Sequence, residues 1–216
     1  MTPKGWKPSP RENAMLQTLF TKTSELAEFK AVHHDDAVLV LPFIDEELAR
    51  RLADVLVRRA LHPGLVVLIE DDRRLGFIKT ANAICSRSSS RYFGYLAQDV
   101  FPSDGWLQAA LSIMDATGNG LLAFNDGRFH GTLAVFGLAR RAWLKKLYHH
   151  FVFFPGYQSH YGDTELSAIA IHQNTLVYNP GCVMLEVDYE KHTKGNNPED
   201  KALFEQRMAQ GFGGLI

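Results

Sequence analysis

Residues 37–70 read AVLVLPFIDEELARRLADVLVRRALHPGLVVLIE, and this stretch determines the class of fold. The runs AVLVLPF and LVVLIE are continuously apolar and rich in β-branched residues, as is typical of strands buried on both faces of a parallel sheet. Between them, Leu48, Leu52 and Leu56 recur at helical spacing after Asp45, which predicts a helix with an aspartate N-cap. A strand, a helix and a strand with so short a return predict a right-handed parallel crossover.

The alternation of strands and helices continues towards the C-terminus. GFIKTANAICSRSS predicts a helix and YFGYLA a strand, and Ser103 is expected to cap a helix that runs to Ala116 and is closed by Gly118. Beyond it the order is mixed: GLLAF, TLAVFGL, TLVYN and CVMLEVD are typical of strands, whereas ARRAWLKKLYHH, DTELSAIAIHQN and PEDKALFEQRMAQ are typical of helices. The sequence therefore predicts an α/β fold, a three-layer sandwich with a mostly parallel, mixed central sheet.

The chain of 216 residues is long enough for one α/β domain with a proper core. Residues 1–36 are polar at first and weakly helical from Glu12 to Ala31, so we expect a helical or extended N-terminal appendage. The single main domain is then expected at residues 37–216.

Composition and charge argue against several classes of function. A formal net charge of −1 gives no electrostatic reason to expect a nucleic-acid partner. No apolar stretch approaches the ~20 residues that a membrane span needs, and the N-terminus lacks the apolar core of a secretory signal, so we expect a cytoplasmic protein. Cys85 and Cys182 lie far apart without metal-ligand spacing, and both are expected to be small buried apolar residues.

Acidic residues follow the predicted strands. Asp99 comes just after YFGYLA, and Asp71 and Asp72 come just after LVVLIE. Open α/β sheets bind ligands outside the carboxyl ends of their strands, so we expect these acids to border one crevice. The sequence contains neither the Rossmann nor the P-loop glycine fingerprint for binding phosphates. We therefore expect a divalent cation, Mn²⁺ or Mg²⁺, to be held by Asp99 against a bound diphosphate.

Several motifs together resemble a known family. LVLPF before a helix, LIEDD, the helix that contains Asn82, YFGYLAQDVFPSDGWL, and GDTEL ahead of a C-terminal histidine are similar to the GT-A-fold glycosyltransferases of family 2. The resemblance covers residues 37–200 and implies a GT-A-like sandwich. It also implies metal-assisted transfer of a sugar, with inversion, from a UDP-, GDP- or dTDP-sugar donor to an acceptor hydroxyl.

The resemblance assigns metal ligands. In this family a strand ends in an acidic triplet whose last acid coordinates the metal on the nucleotide diphosphate. The matching triplet here is Ala97-Gln98-Asp99, which retains only that last acid. A histidine near the C-terminus often completes the metal shell, for which His192 is the nearest candidate and Asp188 an alternative.

The resemblance also assigns residues that bind the donor. Asp71, with Asp72 as the alternative, matches the acid that faces the nucleobase. The full set of donor-binding candidates is Pro42, Asp71, Asp72, Lys79, Asn82, Gln98, Asp99 and Asp126. Aromatic faces suit sugar rings, so an acceptor pocket is expected to draw on Arg128, His130, Tyr157, His160 and Tyr161.

The catalytic acids are expected in GDTEL, residues 162–166. This segment matches the family's catalytic acid motif with Gly162 in place of the first acid, so Asp163 is the expected general base and Glu165 the second catalytic acid. A simpler explanation stays open, in which Asp163 caps the following helix and Glu165 interacts with its dipole.

Two other functions also remain open. A nucleotidyltransferase of related fold needs a metal as well, although PFIDEE occupies the place where its glycine-rich loop is usual. A catalytically inactive scaffold that binds nucleotide sugars is the other, because both acidic motifs are reduced. The sequence does not indicate the acceptor or the oligomeric state.

Overall fold

The structure, a computed structural model, describes residues 15–187 and 197–216. Its strands are β1 (Leu16–Lys22), β2 (Val32–His33), β3 (Ala37–Phe43), β4 (Gly64–Glu70), β5 (Ser88–Ser89), β6 (Tyr92–Tyr95), β7 (Val100–Pro102), β8 (Leu121–Asn125), β9 (Gly137–Arg140) and β10 (Leu176–Glu186). Its helices are α1 (Glu46–Arg59), α2 (Phe77–Ser86), α3 (Trp106–Thr117), α4 (Arg141–Tyr148), α5 (Gly162–His172), α6 (Pro198–Ala209) and the short α7 (Gly211–Gly214). None of these helices is long and apolar enough to cross a bilayer.

Eight of the strands form one sheet in the order β1-β4-β3-β6-β9-β8-β10-β7. The pairs from β1 to β6 are parallel, and so is the pair of β8 with β10. Strand β9 runs antiparallel to both β6 and β8, and β7 runs antiparallel to β10. The predicted mostly parallel, mixed sheet is confirmed, and β1, β4, β3, β6 and β8 all end at the same edge.

The apolar runs are buried because helices cover both faces of this sheet. Along β3, Leu39 and Leu41 join the core under α1 and α3, whereas Val38 and Val40 join the core under α2, α4 and α5. Every residue of β3 is buried, as expected for a strand between two helical layers. This arrangement confirms the predicted three-layer α/β sandwich.

Local signals set most helix boundaries. The carboxylate of Asp45 accepts a hydrogen bond from the Leu48 amide at 3.0 Å, which confirms it as the N-cap of α1. Gly118 closes α3 in the left-handed conformation, also as predicted. The predicted Ser103 cap is wrong: α3 starts at Trp106 after Gly105, while the Ser103 amide bonds to the carbonyl of Val183.

The helix predicted from Glu12 to Ala31 is wrong. Leu16–Lys22 forms strand β1, which pairs in parallel with β4 along its whole length. The backbone edge of β4 supplies the hydrogen-bond partners, and this nonlocal pairing overrides a weak helical propensity. The sheet therefore begins before residue 36, where the sequence analysis ends its N-terminal appendage.

The two strands predicted after α5 are one strand. TLVYN and CVMLEVD both contribute to β10, whose register against β8 shifts between Tyr178 and Val183. Its last residues, Met184–Glu186, turn to pair with β7. This irregularity brings the end of β10 next to Asp99 and Asp126.

Candidate active site

The ends of the central parallel strands are joined by backbone hydrogen bonds. The Asp71 amide donates to the carbonyl of Phe43 at 2.8 Å, and the Leu96 amide donates to the carbonyl of Val40 at 2.9 Å. The segments that follow β3, β4 and β6 therefore start side by side. This edge of the sheet is where an α/β fold binds its ligand.

Asp71 shapes the loop that leads into α2. One of its carboxylate oxygens accepts from the Leu75 amide at 2.7 Å and the other from the Gly76 amide at 2.8 Å. Gly76 has a φ of 91°, and a Cβ there would lie 2.6 Å from Ser159 Oγ, so only glycine lets the two loops approach. The Asp71 carboxylate is thus committed to its own loop.

Asp72 is exposed and binds the segment after β1. Its Oδ1 accepts from Thr23 Oγ1 at 2.7 Å and from the Ser24 amide at 2.9 Å. Hydrogen bonds from Ser24 and Thr23 stabilise the charged form and lower the pKa of Asp72 to about 2. Asp72 thereby ties the N-terminal segment to the carboxyl end of β4.

Two other donor-binding candidates, Gln98 and Asn82, also have structural contacts. Gln98 Oε1 accepts from the amides of Ile44 and Asp45, at 2.8 and 3.0 Å, which fixes the turn between β3 and α1. Asn82 is buried and bonds to the backbone of Val152 and Phe153.

Pro42 is buried in β3, beyond the point where β6 stops pairing, so its missing N–H costs no ladder bond on that side. Lys79 is exposed on α2, and the structure gives no specific contact for its ammonium group. Neither residue therefore gains support as a donor ligand from its surroundings.

Asp99 and Asp126 lie on the two sides of the end of β10. The carbonyl of Asp99 accepts from the Val187 amide at 2.8 Å, and the carbonyl of Asp126 accepts from the Glu186 amide at 3.2 Å. Because residues 186 and 187 are neighbours, the two aspartates border the same stretch of the sheet edge. Arg128 adds a positive charge there, 3.9 Å from the Glu186 carboxylate.

Asp126 is buried with one carboxylate oxygen in use. Its Oδ1 accepts from the amides of Arg128 and Phe129, both at 2.9 Å, in a turn of the Asx type. Its Oδ2 is also buried and has no hydrogen-bond partner among residues 15–187 and 197–216. A buried carboxylate oxygen in this state is suited to a ligand hydroxyl or a cation.

The described carboxylates fit a cation that takes most of its ligands from substrate. Within the described ranges, no three His, Cys, Asp or Glu side chains are grouped so as to hold a metal ion. Mg²⁺ is commonly bound through one or two carboxylates together with substrate phosphates, so a cation at Asp99 would take its other ligands largely from substrate. His192 and Asp188, the other predicted ligands, lie outside the described residues.

Asp163 lies in the first turn of α5. Tyr161 occupies the N-cap position with a φ of 68°, so the alternative role of Asp163 as the cap does not hold. Asp163 Oδ1 accepts from the Thr164 amide at 2.8 Å. Burial raises the pKa of Asp163 above its ordinary value of 3.8, which makes this carboxylate a stronger base than a solvated one.

A chain of hydrogen bonds connects the start of α5 to β6. Ser167 Oγ donates to the Asp163 carbonyl at 2.7 Å and accepts from the Ala134 amide at 2.9 Å. The Ala134 carbonyl in turn accepts from the Tyr95 hydroxyl at 2.8 Å. Tyr95 is the last residue of β6, four positions before Asp99, and the charge of Asp163 adds to the effect of burial in raising its pKa. Asp163 is therefore close to the carboxyl end of the strand that precedes Asp99.

Glu165, predicted to be catalytic, is a structural residue. It is completely buried and forms a two-pronged ion pair with Arg207 of α6, at 2.7 and 2.8 Å. The hydroxyls of Tyr148 and Tyr157 donate to its two oxygens at 2.8 and 2.6 Å. With four donors and no exposure, Glu165 is not available to a substrate, and buried Tyr157 is not part of an acceptor pocket.

Position 162, which the resemblance aligns with the first acid of a catalytic motif, has little room for a side chain. A Cβ at this position would lie 2.9 Å from Ile78 Cδ1 and 3.0 Å from the ring of Phe153. Both neighbours are buried in the core under α2 and α5. An acidic side chain therefore does not fit at position 162 without a shift of the core.

Helix α6 supplies contacts that the sequence analysis missed. Asp200 is buried, and its carboxylate accepts from three successive amides, those of Gln158, Ser159 and His160, each at 2.9 Å. Arg207 anchors the other end of α6 through Glu165. The pattern PEDKALFEQRMAQ indicates the helix but carries no signal for these partners, which lie about 40 residues earlier in the chain.

Comparisons with known proteins agree with this fold. No protein-family model matches the chain, and no curated protein matches it. Among solved structures, S. aureus TarS bound to UDP-GlcNAc is 15% identical over 81% of this chain and 64% of its own, with a TM-score of 0.61. The mannosyltransferase PcManGT from Pyrobaculum calidifontis, bound to GDP-Man and Mn²⁺, is 12% identical over 87% of this chain and 74% of its own, with a TM-score of 0.54.

These similarities establish the fold, which is that of a GT-A-like glycosyltransferase. A further structure of S. aureus TarS matches 80% of this chain with a TM-score of 0.58 at 13% identity, and the chain spans only 39% of it. At such identities the likeness carries the architecture and not the activity.

Proposed function

We propose that the chain transfers a sugar from a nucleotide-diphosphate sugar to an acceptor hydroxyl, with inversion, as a family 2-like glycosyltransferase. The observation that carries the proposal is the position of Asp163, a partly buried aspartate of raised pKa whose helix is linked through Ala134 to Tyr95 at the end of β6. Asp99 follows the same strand. The proposed reaction requires a base for the acceptor hydroxyl and an acid that holds the cation on the diphosphate, both at the same edge of the sheet.

In this proposal Asp163 takes the proton of the acceptor hydroxyl as that oxygen attacks the anomeric carbon. Inversion follows from this single displacement, because the acceptor approaches from the face opposite the departing nucleoside diphosphate. The raised pKa of Asp163 assists proton transfer, since a stronger base accepts the proton more readily.

Asp99 would hold Mn²⁺ or Mg²⁺, with His192 or Asp188 as a further ligand. The cation supplies charge stabilisation for the departing diphosphate. Asp126 is proposed to accept a hydrogen bond from the donor through its buried Oδ2. UDP-GlcNAc and GDP-Man, the ligands of the similar structures, are the first donors to try.

The first test is a thermal-shift panel of UDP, GDP, CDP and dTDP with and without Mn²⁺. A ligand that binds the folded chain raises the melting temperature by mass action. At least one nucleotide should give a Mn²⁺-dependent shift, and Asp99→Asn should remove the Mn²⁺-dependent part. If no nucleotide shifts the wild-type chain under either condition, the proposed donor site is refuted.

The second test separates chemistry from binding. Release of nucleoside diphosphate from UDP-GlcNAc and GDP-Man can be followed with water as the acceptor. We expect Asp163→Asn to keep the nucleotide-induced shift but to lose about 10²–10⁴-fold in rate, the usual contribution of a general base. Asp54→Asn, an exposed acid on α1, is the matched control and should keep the full rate. Wild-type rate in Asp163→Asn would overturn the assignment of the base.

A second candidate function is a catalytically inactive binder of nucleotide sugars. The packing around Gly162 favours it, because an acid at this position, where the resemblance expects one, would require a shift of Ile78 and Phe153. Under this alternative the wild-type chain shows the nucleotide-dependent shift in the first test but releases no nucleoside diphosphate in the second. The transferase and the inactive binder therefore make opposite predictions for the release of nucleoside diphosphate by the wild-type chain.

A further inference from the structure

A cavity lies at the edge of the sheet opposite the candidate site. Strand β9 ends at Arg140, which pairs with Tyr92, the first residue of β6. Helix α4 starts immediately afterwards, and a cavity of about 190 Å³ opens between it and the end of α2. Its polar lining comes from Ser86, Ser88, Arg141, Lys145, His149 and His150. The cavity is separate from the acids at the carboxyl edge.

Arg141 is held in a fixed orientation beside this cavity. Its Nε donates to Ser90 Oγ at 3.0 Å, its Nη1 to the Cys85 carbonyl at 3.1 Å, and its Nη2 to Ser88 Oγ at 2.6 Å. The guanidinium also lies over the ring of Phe93, 4.8 Å from its centroid. With the 3.7 Å contact of Nη1 to Cys85 Sγ, these bonds engage four of the five N–H groups, so Arg141 offers an anion a fixed positive charge and one N–H of Nη2.

Among the described residues, the lining of the cavity includes cations and no acid. Each acceptor of Arg141 in the described part of the chain is a neutral hydroxyl, carbonyl or thiol group. Neither Lys145 nor the two histidines form an ion pair with a carboxylate in the described ranges. The segment RRAWLKKLYHH, residues 140–150, contains four basic residues, two histidines and no acid, in a chain whose net charge is −1.

Burial without a counter-ion is unfavourable for a guanidinium. Desolvation lowers the pKa of Arg141 from its ordinary value of 12.5, because burial disfavours the charged form. A bound anion would reverse this effect by pairing with the charge. The need for a counter-ion therefore comes from the site itself.

We propose that this cavity binds a phosphate group, carried either by a small phosphorylated molecule or by a lipid headgroup. Two permanent cations, Arg141 and Lys145, match the charge of a phosphate better than that of a single carboxylate. Arg141 contributes a fixed positive charge and one N–H of Nη2, and Lys145 adds a point charge from the next turn of α4. The serine hydroxyls and imidazoles supply further donors around the same space.

A purely structural role for Arg141 is the main alternative. The Cys85 carbonyl belongs to the last turn of α2, where a cation interacts favourably with the helix dipole. That role accounts for the Cys85 contact but not for Lys145, His149 and His150 on the same wall. It also predicts no response of the folded chain to added phosphate.

The test compares two neighbouring lysines in the full chain. Lys145 lines the cavity, whereas Lys146, equally exposed and next in sequence, is not part of the lining. Inorganic phosphate is titrated at constant ionic strength by calorimetry and thermal shift. We expect phosphate to bind the wild type and the Lys146→Gln variant alike, and to bind Lys145→Gln about tenfold more weakly, as for the loss of one charge-assisted hydrogen bond.

The same variants distinguish the source of the phosphate. Vesicles of phosphatidylcholine with and without phosphatidic acid form the second arm, scored by co-sedimentation. Binding to phosphatidic acid that depends on Lys145, without binding of inorganic phosphate, identifies a lipid headgroup. If neither probe binds, or if the Gln variants of Lys145 and Lys146 behave identically, the proposal is overturned. Arg141→Gln serves as a second variant, because a folded Arg141→Gln chain that still binds phosphate normally also contradicts it.

Discussion

Two groups of carboxylates meet at α5, which carries Glu165 of one group and Asp163 of the other, and their surroundings differ. The interhelical acids, Glu165 and Asp200, are buried between α5, α6 and the preceding loop, and they accept four and three hydrogen bonds respectively. The edge acids Asp99, Asp126 and Asp163 border the end of the sheet. Asp126 keeps a buried oxygen with no partner in the described ranges. The number of donors around Glu165 and Asp200, rather than the mere presence of an acid, marks these two carboxylates as structural.

The interhelical acids also support the edge acids. Asp200 fixes the amides of residues 158–160, and Glu165 fixes α5 two residues after Asp163. Both contacts come from α6, so the C-terminal helix positions the segment that carries the proposed base. This division of roles gives three predictions.

The largest effect is expected from removing the counter-ion of Glu165. Arg207→Met leaves a buried carboxylate without its ion pair, while the Met side chain keeps much of the packing against Phe154. We expect the free energy of unfolding to fall by about 3–5 kcal/mol, the usual cost of breaking a buried pair from one side. Urea denaturation followed by circular dichroism measures this change.

The control for that variant is Lys201→Met on the same helix. Lys201 pairs with Glu205 at 3.8 Å, and both side chains are 59% exposed. Because exposed pairs contribute about 0–1 kcal/mol, this variant should remain close to the wild type. Equal losses in the two variants would mean that Glu165 is not the structural anchor described above.

A smaller loss of stability is expected when Glu165 keeps its ion pair with Arg207 but loses the hydrogen bond from one tyrosine hydroxyl. Tyr157→Phe removes the 2.6 Å hydrogen bond to Oε2 and leaves the ring in place. Hydrogen bonds to charged groups contribute about 1.5–3 kcal/mol, so the urea midpoint should fall by less than in Arg207→Met. Tyr178→Phe, at a half-exposed position of β10, is the matched control and should leave the midpoint unchanged. A Tyr157→Phe chain as stable as this control would show that the hydroxyl is dispensable.

The central unit of the fold could be predicted from the sequence because its signals are local. AVLVLPF and LVVLIE are apolar throughout, and Asp45 caps the helix between them within three residues of its partner. Strand β1 could not be predicted in the same way. LQTLFTK is a short segment with several polar residues, and it becomes a strand because the edge of β4 offers it a backbone partner.

In the candidate site, too, the positions of the acids could be predicted from the sequence but their roles could not. Topology places the acids that follow strands at one edge, which is why Asp71, Asp99 and Asp126 all lie there. The donors that determine the role of an acid come from elsewhere in the sequence. Those of Glu165 are 8, 17 and 42 residues away, so GDTEL alone gives no reason to separate Glu165 from Asp163.

The smallest effect on stability is expected from Asp163→Asn. Unlike the two preceding variants, it should stabilise the folded chain. The pKa of Asp163 is raised in the folded chain above its ordinary value of 3.8, mainly by burial. The folded state therefore bears an unfavourable charge at neutral pH, and an asparagine of the same shape relieves it. We expect Asp163→Asn to unfold at a slightly higher urea concentration than the wild type at pH 7, as is common when a functional residue is removed.

The pH dependence of the stability difference between Asp163→Asn and the wild type identifies its cause. As the pH falls through the raised pKa, the folded wild type takes up a proton before the unfolded chain does, so the wild type gains stability relative to Asp163→Asn. The advantage of the variant should thus shrink with falling pH and vanish below about 3.8, where both states of the wild type are protonated. Urea midpoints at several pH values measure it. An advantage that is independent of pH, or a variant less stable than the wild type at pH 7, would place Asp163 with the interhelical acids rather than with the edge acids.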